Sequence, residues 1–240
     1  MKISFFKKVG DNKIPVNKDN WELAWAPAKK SHWQDGKSSK ELSKFAASES
    51  FIPFISKVLK DCNIKEQDFE CEPESRNSLG PGFNPGVRHH DLLMIGEDCI
   101  IGIEAKVCET FDGKINDIID EQKVKYHNDE TKTRAYKLKE DLTPDSNAGQ
   151  IGYQLYTATR ATVYSAIQHN KDICIMLVIV FTGNVRLDKP ENVKKNNKDF
   201  TDFKQMVGKY QKGDNEYFNL WNKKCRIEKY EVNISNCYNF

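Results

Sequence analysis

Residues 173–181 form the longest apolar run of the chain, nine consecutive hydrophobic residues. A run of this length bounded by polar residues predicts a buried strand, because a membrane span needs about 20 apolar residues. Residues 150–169 come just before it and carry hydrophobic residues at helical spacing. A helix that leads into a buried strand indicates an α/β fold, with a mixed central sheet and helices on both of its faces.

Two shorter apolar runs, residues 92–95 and 99–103, flank a glycine-containing turn at residues 96–98. Short apolar runs separated by such a turn predict a β-hairpin.

Three charged residues occupy this hairpin where apolar residues are expected: Asp91 near the start of the first strand, and Glu104 and Lys106 late in the second. Glu104 and Lys106 are two positions apart, so they share one face of the sheet, while Ala105 points into the opposite layer.

The register of the hairpin decides whether Asp91 joins the other two charges. With an even turn, Gly96 pairs with Cys99, and Asp91 lies opposite Glu104 with Cβ atoms about 5 Å apart. Like charges so placed are destabilising, and a hard divalent cation such as Mg²⁺ would compensate them. With an odd turn, Asp91 faces Ile103 and Glu104 is only a diagonal neighbour.

A helix is predicted from Ser38 to about residue 60, with Ser38 as N-cap, Glu41 completing a capping box, and a bend at Pro53. Residues at helical spacing along one stripe are Leu42, Phe45, Ala46, Glu49 and Ile52. Glu49 is the only acid on this predicted buried face. The alternative is a partly exposed glutamate at the edge of the stripe.

Further elements follow from the same patterns. They are short strands at 3–6 and 64–71, a Gly- and Pro-rich loop at 79–86, a helix at 113–127, a weak helix ended by Pro144, and helices at 198–210 and 218–223. The loop at 79–86 lines an active-site mouth or is a plain surface turn. With neither a linker nor a repeat, residues 1–240 are predicted to form one domain.

Composition narrows the range of partners and cellular locations only slightly. The net charge is +2 although 30% of the residues are charged, so no global field indicates a polyanionic partner. The net charge says nothing against a local basic groove. Seven scattered cysteines without a C-x-x-C motif predict reduced thiols. Together with an N-terminus that lacks an apolar segment, they predict a cytoplasmic protein without a membrane partner.

Trp21, Trp25 and Trp33 lie close together among lysines. Such a cluster is either a platform on which nucleic-acid bases stack or, more commonly, the cap of a hydrophobic core.

His90-Asp91 followed by Glu104-Ala105-Lys106 on the next strand resembles the signature of the PD-(D/E)XK nuclease superfamily, with histidine where proline is common. The order of GKSSKELSKFA, LGPGF, IEAKVCETF, GYQLYTATRATVYSA, an apolar strand and KDFTDF is similar to an uncharacterised PD-(D/E)XK-like family of bacterial proteins. The similarity covers most of residues 31–205. It implies a restriction-endonuclease-like core of the order αβββαβ, with a Trp-rich N-terminal and a Lys/Asn-rich C-terminal extension.

The resemblance also implies a metal site. Asp91, Glu104 and the backbone carbonyl of Ala105 would bind Mg²⁺ or Mn²⁺, because these ions favour carboxylate and carbonyl oxygens. Glu49 is the candidate for the additional acid that such folds often place on a preceding helix.

Two further roles follow from the same resemblance. Lys106 would orient the attacking water or the scissile phosphate as a point charge. Gln154, in the Tyr153-Gln154-Leu155 motif that the bacterial family shows before its last strand, would hold a water or a phosphate.

The function expected from the resemblance is metal-dependent hydrolysis of nucleic-acid phosphodiester bonds, with DNA ahead of RNA as substrate. Two alternatives stay open: a catalytically silent module that binds a protein or nucleic-acid partner, and a plain Glu104–Lys106 ion pair at a solvated strand end. A serine hydrolase lacks support because no G-x-S-x-G motif is present. His89 and His90 are adjacent on a strand, so they cannot both serve one site.

Overall fold

The computed structural model describes residues 1–26, 37–83, 86–107, 109–127, 129–183, 189–214 and 216–234. These residues build a mixed sheet of eight strands in the order β2-β1-β3-β4-β5-β6-β8-β7. The strands are β1 Ile3–Val9, β2 Asn12–Pro15, β3 Phe69–Ser78, β4 Val87–Gly96, β5 Cys99–Lys106, β6 Ile173–Thr182, β7 Phe218–Leu220 and β8 Lys223–Asn233.

The helices of the described part pack on both faces of this sheet. They are α1 Trp21–Trp25, α2 Ser38–Ala47, α3 Phe51–Asp61, α4 Ile115–Tyr126, α5 Arg134–Leu142, α6 Tyr153–Gln168 and α7 Pro190–Tyr210, with 3-10 turns at Glu130–Lys132 and Ser146–Gln150. The predicted α/β class with a mixed sheet between two helical layers is therefore confirmed.

Strands β3, β4 and β5 form an antiparallel meander, and β5, β6 and β8 continue the sheet in parallel. Strand β5 is buried along its whole length, and its side chains alternate between two cores. Ile101 and Ile103 pack with α2 and α3 on one face, whereas Ile100 packs with α6 on the other. A strand covered on both faces must be apolar on both, which explains its near-continuous hydrophobic run.

The predicted hairpin is confirmed, and its register is the even one. Ile95 pairs with Ile100 and Leu92 pairs with Ile103, so the same register continued would place Asp91 opposite Glu104. The predicted buried strand, the helix that precedes it and the helix at 113–127 are present as β6, α6 and α4.

The predicted single helix from Ser38 to residue 60 is wrong. The chain forms two helices, α2 and α3, with the break at residues 48–50, and Pro53 lies in the first turn of α3. Proline is tolerated there because the first N–H groups of a helix have no intrahelical acceptor. The capping box is also wrong, since Lys37 is the N-cap of α2 and no side-chain cap bond forms.

The predicted helix at 218–223 is wrong as well. Residues Trp221 and Asn222 both have positive φ, 49° and 62°, and connect β7 to β8 as a two-residue hairpin turn. Strand β8 was missed because lysines and glutamates interrupt its alternation, although Cys225 and Ile227 are fully buried. The predicted strand at 64–71 begins only at Phe69.

The tryptophan cluster caps a core, as the more common of the two interpretations predicts. Trp25 is fully buried, and its ring lies 5.6 Å from that of Trp21 and 6.0 Å from that of Phe5. Trp33 lies outside the described residues.

The cysteines of the described part are all buried free thiols, namely Cys62, Cys71, Cys99, Cys174 and Cys225. Cys108 and Cys237 lie outside the described residues. Within the described ranges, no helix has both the length and the apolar character needed to cross a membrane.

Candidate active site

At its open end, the β4–β5 hairpin carries charged residues and loses its regular backbone pairing. Regular pairing between β4 and β5 stops at Leu92 and Ile103. At the next position the Asp91 side chain replaces the missing backbone acceptor, because its Oδ2 accepts a hydrogen bond of 2.7 Å from the backbone N–H of Ala105. The Asp91 carboxylate therefore lies between its own strand and β5.

Glu104 is the centre of a buried polar group on the face of the sheet that α6 covers. It is 2% exposed, and its Oε1 accepts from Lys106 Nζ at 2.8 Å and from Gln154 Nε2 of α6 at 2.6 Å. Its Oε2 accepts from the guanidinium of Arg88 on β4. The structure thus brings the predicted residues Glu104, Lys106 and Gln154 into direct contact.

Burial alone would raise the pKa of Glu104, but Arg88 and Lys106 outweigh it and lower the pKa to about 2. For Lys106, burial lowers the pKa, while Glu104 and Asp91 act in the opposite direction and prevail, so the pKa is raised. Both side chains are therefore charged at neutral pH inside the protein, and each depends on its partner to remain so.

Asp91 has a different environment. Burial first, and then the negative charges of Glu104 and Glu74, raise its pKa well above the ordinary value of an aspartate. Its Oδ1 lies 3.4 Å from the hydroxyl of Ser39, which belongs to α2 on the other face of the sheet. Within the described residues no ion pair joins Asp91 to Lys106.

Glu74 is a site residue that the sequence patterns did not indicate. It lies on β3 between the pairs Pro73–Leu92 and Ser75–His90, directly beside Asp91, and its backbone is left-handed with φ of 48°. Its Oε1 accepts a hydrogen bond of 2.8 Å from the Ser39 hydroxyl, and burial raises its pKa. A proline within a strand was the available signal, because proline interrupts regular pairing.

Arg88 was also missed. It lies on β4 three positions before Asp91, and Glu104 raises its pKa although burial acts in the opposite direction. Its Nε is buried and has no hydrogen-bond partner in the described part of the chain.

His90 belongs to the core and not to the polar group. It is fully buried, its Nε2 lies 3.3 Å from the hydroxyl of Thr162 on α6, and burial lowers its pKa to about 3. Gly102 allows this close approach, since a Cβ there would lie 2.2 Å from the Thr162 hydroxyl oxygen. The imidazole is therefore neutral, and it packs between the hairpin and α6.

The prediction that Glu49 lies on a buried helix face is wrong. Glu49 is exposed in the turn between α2 and α3, because the helix breaks before it. The buried acid of α2 is instead Glu41, which is 2% exposed and forms an ion pair of 3.1 Å with Lys44.

The loop that precedes the hairpin is anchored on α6. Arg160 Nε donates a hydrogen bond of 2.7 Å to the carbonyl of Leu79, and the Arg160 guanidinium lies 5.1 Å from the centre of the Phe83 ring. A Cβ at Gly80, whose φ is 87°, would lie 2.7 Å from the Tyr164 ring, so glycine is required there. Residues 84 and 85 of this loop lie outside the described residues.

The donors available for a metal ion are two carboxylates and one carbonyl, those of Asp91, Glu104 and Ala105. No group of three or more His, Cys, Asp or Glu side chains in the described ranges is arranged to hold a metal. The chemistry of the smaller set nevertheless fits a hard divalent cation, because such ions favour carboxylate and carbonyl oxygens. Burial, and after it the negative charges of Glu104 and Glu74, raise the pKa of Asp91, and a bound cation would offset both effects.

Fold and site together define a mixed α/β domain with a buried acid–lysine–glutamine group at the open end of a central hairpin. The chain belongs to a family described as a domain of unknown function (DUF6946), whose model matches residues 16–231. Neither the curated proteins nor the solved structures contain a match to the chain.

Proposed function

We propose that this protein is a metal-dependent nuclease of the PD-(D/E)XK kind, which hydrolyses phosphodiester bonds of nucleic acid. The observation that carries the proposal is the buried contact of Glu104 with both Lys106 and Gln154, beside Asp91 on the neighbouring strand. The resemblance to the PD-(D/E)XK nuclease superfamily implies this grouping of acid, lysine and amide side chains. The order of elements, α2 and α3, then β3, β4 and β5, then α6 and β6, supports a restriction-endonuclease-like core of the order αβββαβ.

Asp91, Glu104 and the carbonyl of Ala105 are the residues that would hold Mg²⁺ or Mn²⁺. The bound ion would lower the pKa of a water and stabilise the charge that develops on the phosphate.

Lys106 stays protonated in this site and presents a point charge that orients the water or the scissile phosphate. Gln154 is suited to position a water, because its Nε2 donates to Glu104 while its buried Oε1 has no partner in the described part of the chain. An acceptor so placed takes a hydrogen bond from a water or from a substrate hydroxyl.

Cleavage of labelled nucleic acid tests this proposal. The purified protein is incubated with DNA and RNA panels in Mg²⁺, Mn²⁺ or EDTA, with DNA expected as the better substrate. Glu104→Gln and Lys106→Met should each reduce metal-dependent cleavage by at least about 100-fold, because the first removes a carboxylate that would hold the metal ion and the second removes the positive charge that orients the water or the phosphate.

Glu70→Gln is the matched control, since Glu70 is exposed on β3 and pairs with Lys13 far from the buried group. Circular dichroism verifies that each variant is folded. Undiminished cleavage by folded Glu104→Gln protein would refute the assignment.

A catalytically silent module is the second candidate, and the Arg88–Glu104 ion pair is the observation that favours it. Protein cations already neutralise Glu104, which lessens the need for a metal. A ligand that binds only the folded state raises the melting temperature, by at least about 5 °C at 100 times its Kd. An unchanged melting temperature in Mn²⁺, together with absent cleavage, would favour the silent module.

A further inference from the structure

Arg88 and Lys106 bind Glu104 in different ways. The Lys106 side chain is 5% exposed and shares Oε1 of Glu104 with Gln154. The Arg88 side chain is 19% exposed, and within the described residues its guanidinium is the only group that donates to Oε2. Arg88 is therefore the more exposed of the two cations, and it binds an oxygen of Glu104 that no other group shares in the described part of the chain.

This difference decides which contact of the Glu104 carboxylate can break when a metal ion binds. A cation that binds Glu104 through Oε2 needs only the guanidinium to leave, whereas binding through Oε1 would disrupt both the lysine and the glutamine contacts. Arginine has a long side chain with several rotatable bonds, and its partly exposed position gives it room to turn outward. The Lys106–Glu104–Gln154 contacts can persist while this happens.

The charges of the site lead to the same result. The single carboxylate of Glu104 already forms ion pairs with two cations, Arg88 and Lys106. A divalent ion added while Arg88 stays in place would bring excess positive charge into a buried site, and like charges at short range in a low dielectric repel strongly. Entry of the ion and departure of Arg88 are therefore coupled.

We infer that Arg88 is a resident counter-ion of Glu104, which yields this carboxylate to a divalent cation and then binds a phosphate of the nucleic acid. The inference rests on the proposed nuclease function and deepens it by assigning a positioning residue for the substrate. Once released, the guanidinium lies at the edge of the site with its planar donors free. That geometry suits bidentate hydrogen bonding to a phosphate.

The first experiment measures the affinity of Mn²⁺ by isothermal titration calorimetry, without substrate. Removing the competing guanidinium in Arg88→Met should tighten Mn²⁺ binding by about tenfold or more, because Glu104 then needs no ion-pair exchange. Binding of a short DNA in Mn²⁺ should weaken in the same variant, measured in the Lys106→Met background to suppress cleavage. Arg88→Lys keeps the charge, so it should leave Mn²⁺ affinity near that of the natural protein while still weakening DNA binding.

Arg76→Met is the matched control, because Arg76 is exposed on the neighbouring strand and pairs in register with His89. Its Mn²⁺ affinity should equal that of the natural protein. If Arg88→Met fails to fold, the natural protein supplies a second measurement. Labelling with an arginine-selective dicarbonyl reagent, read by peptide mass spectrometry, should modify Arg88 faster in Mn²⁺ than in EDTA.

The outcomes separate this inference from the proposed function. If the natural protein binds Mn²⁺ and cleaves DNA, but Arg88→Met binds Mn²⁺ no more tightly and Arg88 labelling ignores the metal, only the role of Arg88 is overturned. If the natural protein neither binds Mn²⁺ nor cleaves, the nuclease proposal and the role of Arg88 are overturned together.

Discussion

The two halves of the β4–β5 hairpin are equally central in the fold but are stabilised in different ways. Near the turn, residues such as Ile100 and Ile101 are fully buried, apolar and regularly paired. At the open end, Glu104 and Lys106 are nearly as well buried, yet they are charged, and regular pairing with β4 has ended. Both halves are therefore buried, but burial costs free energy only in the charged half.

Apolar side chains gain free energy when they leave water, whereas a charge loses hydration that only well-placed partners restore. Glu104 has such partners in Arg88, Lys106 and Gln154. Asp91 has a backbone N–H and a distant hydroxyl, and negative neighbours on two sides. A chain folded for stability alone would do better with apolar residues at these positions, so their presence supports a functional site.

The largest effect on stability is expected in the apolar half. Ile101→Ala leaves a cavity between β5 and the α2–α3 layer and should lower the free energy of unfolding by about 4 kcal/mol. Urea denaturation measures this change. Ile14→Ala, at a 43% exposed position of β2, is the control and should change stability by less than about 1 kcal/mol. If both variants lost the same free energy of unfolding, the apolar half of the hairpin would contribute no more to stability than an exposed position.

The next effect concerns the charged half and depends on pH. Because the pKa of Glu104 falls to about 2 in the fold from an ordinary 4.5, the carboxylate adds about 3 kcal/mol of stability at neutral pH. This contribution is present above pH 4.5 and is lost as the pH falls toward 2. In EDTA, Glu104→Gln should be less stable by about this amount at pH 7, and the difference should shrink below pH 4.5.

Urea unfolding of both proteins at pH 7, 5 and 3 provides the comparison for Glu104. A difference that does not change with pH would show that the charge of Glu104 contributes little to stability.

The smallest effect is expected at Glu74, on the neighbouring strand β3 beside the charged half. Glu74 has a left-handed backbone that costs a non-glycine residue about 1 kcal/mol, and glycine adopts it freely. Burial raises the pKa of the half-buried Glu74 carboxyl, so Glu74→Gly also removes a charge that is unfavourable at pH 7, and the protein should be more stable by about 1 kcal/mol at that pH. Glu70→Gly on the same strand should instead destabilise, since glycine weakens regular strands. Thermal unfolding of both variants tests the contrast, and a loss of stability in Glu74→Gly would contradict it.

Much of the fold was predictable because its signals are local. The apolar run of β6, the helical spacing of α6 and the two strands around residues 96–98 each lie within one short segment, and all three appear as predicted. The predictions that failed concern segments whose structure depends on contacts with residues far away in the sequence. Glu41 is buried, and Glu49 is exposed in the turn where the helix breaks. Strand β8 forms because β6 offers it a parallel neighbour.

For the site, the sequence by itself determined that Glu104 and Lys106 share a face, because side chains alternate along any strand. Only the tertiary structure decided the surroundings of this pair. It set the even register that places Asp91 near Glu104, and it brought Arg88 and Gln154 onto the Glu104 carboxylate. The pKa of a buried group depends on the charges within a few ångströms in space, and separation along the chain does not specify them.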